Sequence, residues 1–127
     1  MFKSSFVTLL VIGSLSALSA QAPAFKRTVL QTMELSMAGR EAVTAKAELP
    51  AGVSSGRHTH PGEEIGYVLD GAVTVERDGQ SKTFKAGETF AIPAGQVHNA
   101  VNAGTIQATI VSTYIVEKGK PLATPVK

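Results

Sequence analysis

From residue 42 onward apolar and polar positions alternate in short runs broken by Gly, Pro and Asp, and no run keeps the 3.6-residue period of an amphipathic helix. Val43, Ala45, Ala47 and Leu49 share one parity and Thr44, Lys46 and Glu48 the other, which predicts a half-buried strand over 42–49, ended by Pro50-Ala51-Gly52. Further strands are predicted at 57–60, 65–69, 72–77, 81–85, 89–92 and 97–101, with a last long one over 105–116. Pro61-Gly62 and Asp70-Gly71 mark turns, and Asp78-Gly79 is the strongest hairpin signal. Lys26 to Leu30 reads as an edge strand and 33–37 as a loop. Two prolines in 119–127 suggest an exposed tail, or an arm packed on a neighbouring subunit. Many short strands joined by Gly and Pro turns indicate an all-β antiparallel sandwich or barrel.

The N-terminus departs from this pattern. Lys3 supplies a positive start, Phe6 to Leu18 an apolar stretch and Ser19 to Ala24 a run of mostly small residues, which together read as an export signal over 1–22. Ala20-Gln21-Ala22 fits the small-x-small cleavage rule, although Pro23 disfavours that bond, so the mature start is placed near 21–25. The alternative, a buried N-terminal helix, lacks the polar face such a helix needs. The expected location is periplasmic or secreted, with no membrane association after cleavage. About 105 residues then remain, enough for one domain over 26–118 with a single core.

Charge excludes more than it suggests. With Lys3 removed, the 12 basic residues become 11 against 10 acidic ones. No Lys/Arg cluster stands out, which argues against nucleic acid or a membrane surface as partner. Cysteine is absent, so disulfides and thiolate metal chemistry are excluded.

The candidate chemistry lies in the three histidines. His58 and His60 flank Thr59 on a predicted strand, so both rings leave the same face, with Glu64 and His98 following. Three imidazoles and a carboxylate can converge on one divalent metal ion. Neutral imidazole and carboxylate suit Mn, Fe, Ni, Co, Cu or Zn without choosing among them. If Glu64 points inward, Gly66 and Val68 do too, and Gly66 then leaves room beside an ion or marks a bulge. Glu63, Tyr67 and Arg57 fall on the opposite parity. Phe90 and Ile92 read as core, and Asn102 as a residue that fixes a turn. Ile106, Ala108, Ile110, Ser112 and Tyr114 form a mostly apolar wall, in which Tyr114 is either a core residue or a hydroxyl offered to a ligand.

These residues resemble the motifs of the cupin superfamily, small single-domain barrels of the double-stranded β-helix or jelly-roll type. The first motif is present as Gly52, His58-Thr59-His60, Glu64 and Gly71, and the second as Gly87, Pro93-Ala94-Gly95, His98 and Asn102. The resemblance implies that His58, His60, Glu64 and His98 bind one metal ion. Gly87, Pro93 and Gly95 are expected to set the turns that aim His98.

Four protein ligands on a six-coordinate metal leave positions for water, dioxygen or a chelating substrate. The expected function is a mononuclear metal-dependent dioxygenase or related oxidoreductase acting on a small oxygen-bearing substrate. Alternatives are an isomerase, decarboxylase or lyase using the ion as a Lewis acid, a non-catalytic module that binds a small molecule or a metal, and an ion that merely stabilises the barrel. No further general base stands out beyond Glu64. The resemblance also implies a homodimer.

Overall fold

A computed structural model describes residues 21–127, so the predicted signal segment lies outside the described residues but for its last two positions. The described residues contain ten strands and no α-helix. They are β1 (Lys26–Glu34), β2 (Arg40–Leu49), β3 (His58–Thr59), β4 (Gly62–Asp70), β5 (Ala72–Arg77), β6 (Gln80–Lys85), β7 (Thr89–Ile92), β8 (Asn99–Val101), β9 (Ala108–Glu117) and β10 (Thr124–Pro125). A five-stranded sheet of order β1-β2-β9-β4-β7 is joined by a three-stranded sheet, β6-β5-β8, and a β10-β3 pair.

Alternation along β2, β4 and β9 dictates how the interior fills. Because all three pair antiparallel, inward residues line up in rungs across the sheet. The first rung is Val43, Tyr114, Glu64 and Ile92, and the second is Ala45, Ser112, Gly66 and Phe90. Ala47, Ile110 and Val68 form the third, and Leu49 and Ala108 the fourth. Val73 and Val75 of β5 complete the apolar core around the last two rungs, with Phe84 packed against it. The Asp78-Gly79 hairpin forms as expected: both residues have positive φ, 50° and 70°, and Arg77 pairs with Gln80 across them.

Three expectations are corrected. Residues 33 and 34 belong to β1, with Met33 opposite Ala42 and Glu34 opposite Glu41, and the pairing skips Leu30 between Val29 and Gln31. An edge strand carrying a bulge has no regular alternation to read. The last strand begins at Ala108, and Ile106 is 66% exposed rather than part of the wall. The buried Asn102 side chain holds this loop, donating from Nδ2 to the carbonyls of Leu49 (2.8 Å) and Ile106 (2.7 Å) and accepting from the Gly104 amide. Finally, the segment after Gly119 folds back on its own barrel. Thr124 and Pro125 pair with Thr59 and His58, and Leu122 packs on Val43, Ala45, Tyr114 and Val116.

Candidate metal centre

Four buried polar side chains meet at the first rung: His58, His60, Glu64 and His98. His58 and His98 face each other across an antiparallel bridge whose backbone hydrogen bonds are reciprocal, at 3.0 and 3.1 Å. That pairing sends both rings to the same side of the sheet. His60, at the turn into β4, joins them, and Glu64 reaches the cluster from β4. Glu63 is exposed, as its parity requires, and so are Arg57 and Tyr67.

The donor atoms stand at ligand spacing. His58 Nε2 lies 3.2 Å from His60 Nε2, and Glu64 Oε2 lies 3.1 Å from His60 Nε2 and 3.3 Å from His98 Nε2. Two donors about 2.1 Å from a shared ion stand about 3.0 Å apart at neighbouring corners of an octahedron and about 3.4 Å apart in a tetrahedron. The second nitrogen of each ring is held by a backbone carbonyl: His58 Nδ1 by Gly56 (2.7 Å), His60 Nδ1 by Leu122 (2.6 Å) and His98 Nδ1 by Gln96 (2.9 Å). A carbonyl only accepts, so Nδ1 carries the proton and each neutral ring aims an Nε2 lone pair at the centre. Three lone pairs and a carboxylate pointed at one another are mutually repulsive unless a cation lies among them. The three histidines, whose donor atoms all lie within 4.8 Å of one another, therefore fit a metal ion, with the Glu64 carboxylate beside two of them.

Protonation states agree with ligation. Burial lowers the His58 imidazole to about 4, against a smaller opposing effect from the Gly56 carbonyl, so the ring is neutral at pH 7. Burial pushes the Glu64 carboxyl up, but its polar contacts carry it down overall, and with the imidazoles neutral the donor among them is the Ser112 hydroxyl, which favours the ionised form. Ser112 Oγ donates to Glu64 Oε1 at 2.7 Å and so fixes the oxygen that does not face the imidazoles. Burial, then the Glu64 charge, raises the Tyr114 phenol, which stays protonated with its ring edge-on to His60 at 4.7 Å.

Gly66 does not leave open space beside this centre. A Cβ there would sit 2.2 Å from Phe90 Cζ, so the Phe90 ring fills the place the missing side chain provides. What stays open is a cavity of about 20 Å³ lined by His58, Glu64, His98, Arg27, Phe90 and Tyr114, among others. Sequence reasoning did not single out Arg27 or the Leu122 carbonyl. It placed Ser112 on the wall without giving it a partner, although a lone hydroxyl among apolar inward residues was a signal.

A cupin domain model matches residues 45–114. The chain belongs to the cupin family. This cupin is 35% identical over 78 residues to germin-like protein 3-5 of Oryza sativa subsp. japonica, covering 54% of the chain and 34% of that protein. It is 33% identical over 72 residues to the oxalate-binding protein of Thermotoga maritima, covering 56% of the chain and 60% of the relative. The chain thus spans about a third of the germin-like protein and under two thirds of the bacterial one. Among solved structures, a double-stranded β-helix protein of Klebsiella pneumoniae superposes with a TM-score of 0.67 at 22% identity, covering 84% of the cupin and 90% of that chain. An oxalate oxidase in complex with the substrate analogue glycolate gives 0.60 at 29% identity, covering 67% and 46%. The all-β double-stranded β-helix fold is confirmed by these neighbours.

Proposed function

We propose that the protein binds one divalent transition-metal ion through His58, His60, Glu64 and His98. The ion's remaining positions then take a small oxygen-bearing organic ligand, for dioxygenase or related oxidoreductase chemistry. The observation that carries this reading is the set of three Nε2 lone pairs and one carboxylate oxygen at 3.1–3.3 Å from their neighbours, each ring locked by a carbonyl behind it. A bound ion would supply Lewis acidity and, if redox-active, electron transfer. The protein's own part is to hold the donors, keep Glu64 ionised through Ser112 and exclude bulk water with Phe90 and Tyr114. One relative is named for oxalate binding and another holds glycolate, so small oxygen chelators are the first ligands to try.

A binding-only role is the second reading. It is supported by Glu64 being the only carboxylate among the residues lining the cavity, which leaves no separate base if that oxygen is a ligand.

Elemental analysis of the purified wild-type, His58→Ala and His98→Ala proteins tests the site. One ion per chain is expected in the wild type, with most occupancy lost and melting lowered in each variant, because an ion bound to the folded state alone stabilises it. A variant that keeps the ion and the wild-type melting temperature removes its histidine from the site. Oxygen uptake with oxalate or glycolate then separates oxidation from binding. Two further expectations are proposals on the same footing. Export is tested by N-terminal sequencing of the chain from the periplasm or medium. A homodimer, for which the exposed Ile65, Tyr67 and Leu69 offer a surface, is tested by sedimentation.

A further inference from the structure

Arg27 lines the same cavity as His58, Glu64 and His98, and the metal reading gives it no task. It sits on β1 opposite Ala47, an inward residue of β2, so its side chain is directed over the barrel interior rather than into solvent. Its guanidinium carbon lies 5.8 Å from the centroid of the Tyr114 ring and 5.1 Å from that of Phe25. Aromatic faces steady the plane of a guanidinium while leaving the N–H groups on its edges free. Among the described residues the buried Nε has no hydrogen-bond partner, and no ion pair includes Arg27. A buried Nε–H without an acceptor on a half-buried side chain bears its desolvation uncompensated, so the arrangement is complete only when an acceptor from beyond the described residues enters.

The cavity states what kind of acceptor. A divalent ion beside one carboxylate leaves a net positive centre, and Arg27 adds a second positive charge facing the same space. The open volume of about 20 Å³ holds about one water, so a ligand must be small and enters only as the half-buried Arg27 side chain shifts outward. We infer that Arg27 is the recognition residue for a small carboxylate: the guanidinium edge donates to the carboxylate, and the ligand's remaining oxygens face the metal ligands. The substrate class is accordingly a dicarboxylate or a carboxylate with an oxygen on the adjacent carbon, and a neutral diol of the same length lacks the charge Arg27 reads. This assignment rests on the metal site proposed above and adds to it a charge requirement that the four ligands do not impose.

The test uses zinc-loaded protein, which is diamagnetic, with oxalate as probe and ethylene glycol as the neutral control. In the wild type the Arg27 Nε–H resonance, assigned by its loss in Arg27→Lys, is expected to move on titration with oxalate and to stay in place with ethylene glycol. By calorimetry, Arg27→Gln is expected to keep the wild-type zinc content and to bind oxalate at least about tenfold more weakly, with Arg27→Lys between the two because it keeps a charge without the fork. Unchanged oxalate affinity in a zinc-replete Arg27→Gln protein overturns the inference and leaves the metal site standing. So does an Nε–H resonance that stays still while oxalate saturates the wild type, a measurement that does not depend on any variant folding. If the wild type takes up no zinc, the metal reading fails separately, and the Nε–H response of the metal-free chain to oxalate still decides for or against Arg27.

Discussion

Leu49, Ala108, Val68, Ile110 and Ala47 fill two rungs at one end of the barrel interior, while the two at the other end set Glu64, Ser112 and Tyr114 among Val43, Ala45, Ile92 and Phe90. Burial does not distinguish the ends: Leu49 and Val68 are 0% exposed, Tyr114 and Ser112 1%. What differs is the cost of a missing neighbour. An apolar side chain that loses a contact leaves a void, whereas a buried carboxylate or imidazole that loses a partner leaves an unsatisfied charge or lone pair. The polar end is therefore assembled from reciprocal pairs, Ser112 with Glu64, Leu122 with His60, Gly56 with His58 and Gln96 with His98. The apolar end needs only shape.

The largest effect is expected where shape alone matters. Leu49→Ala should cost about 2–5 kcal/mol of unfolding free energy in urea titrations, with metal content per folded chain unchanged, because it enlarges the apolar wall of the cavity without removing a donor. A drop in metal content would show that the two ends are mechanically coupled. Gly66→Ala, at the boundary between the ends, should cost about 1–3 kcal/mol, since its methyl would collide with the Phe90 ring. Adding Phe90→Leu should recover part of that loss, and a double-mutant cycle with no interaction would refute the contact. Ser112→Ala removes the donor to Glu64 Oε1 and should cost about 1–2 kcal/mol in the metal-free protein. No loss in Ser112→Ala would indicate that the hydroxyl is unimportant.

The last effect is a slope with pH rather than a fixed loss. His58 takes up a proton at about 6.5 when unfolded and resists it until about 4 when folded. Between those values the unfolded chain binds more protons, so the contribution of His58 to stability is whole above pH 6.5 and declines as pH falls toward 4. Urea midpoints of the metal-free protein at pH 7, 5.5 and 4.5 should decline accordingly, and His58→Asn should flatten that part of the decline.

Much of this was legible in the sequence for a definite reason. Alternation over 42–49 and the Asp78-Gly79 turn are local signals, and strands buried on one face display them fully. The histidines and Glu64 are recognisable because a metal demands particular side chains at particular spacings. Arg27 was not legible, because β1 is an edge strand with a bulge at Leu30, so parity on it does not report which side chains turn inward. The Leu122 carbonyl carries no side-chain signature at all, and its role appears only once β10 pairs with β3. Phe90 filling the space at Gly66 depends on the β4–β7 register, which no stretch of sequence shorter than the whole hairpin arrangement specifies.

The reciprocal backbone rung between His58 and His98 has a kinetic corollary. These two amides close the seam between segments separated by β4 to β7, and their side chains are two of the proposed ligands. Uncoupling the strands there would scatter half of the proposed donor set, so release of a bound ion would be coupled to transient opening of the barrel wall. Hydrogen exchange at those two amides should accordingly quicken when a chelator is added, while exchange at Val68 and Ile110 is left as it was.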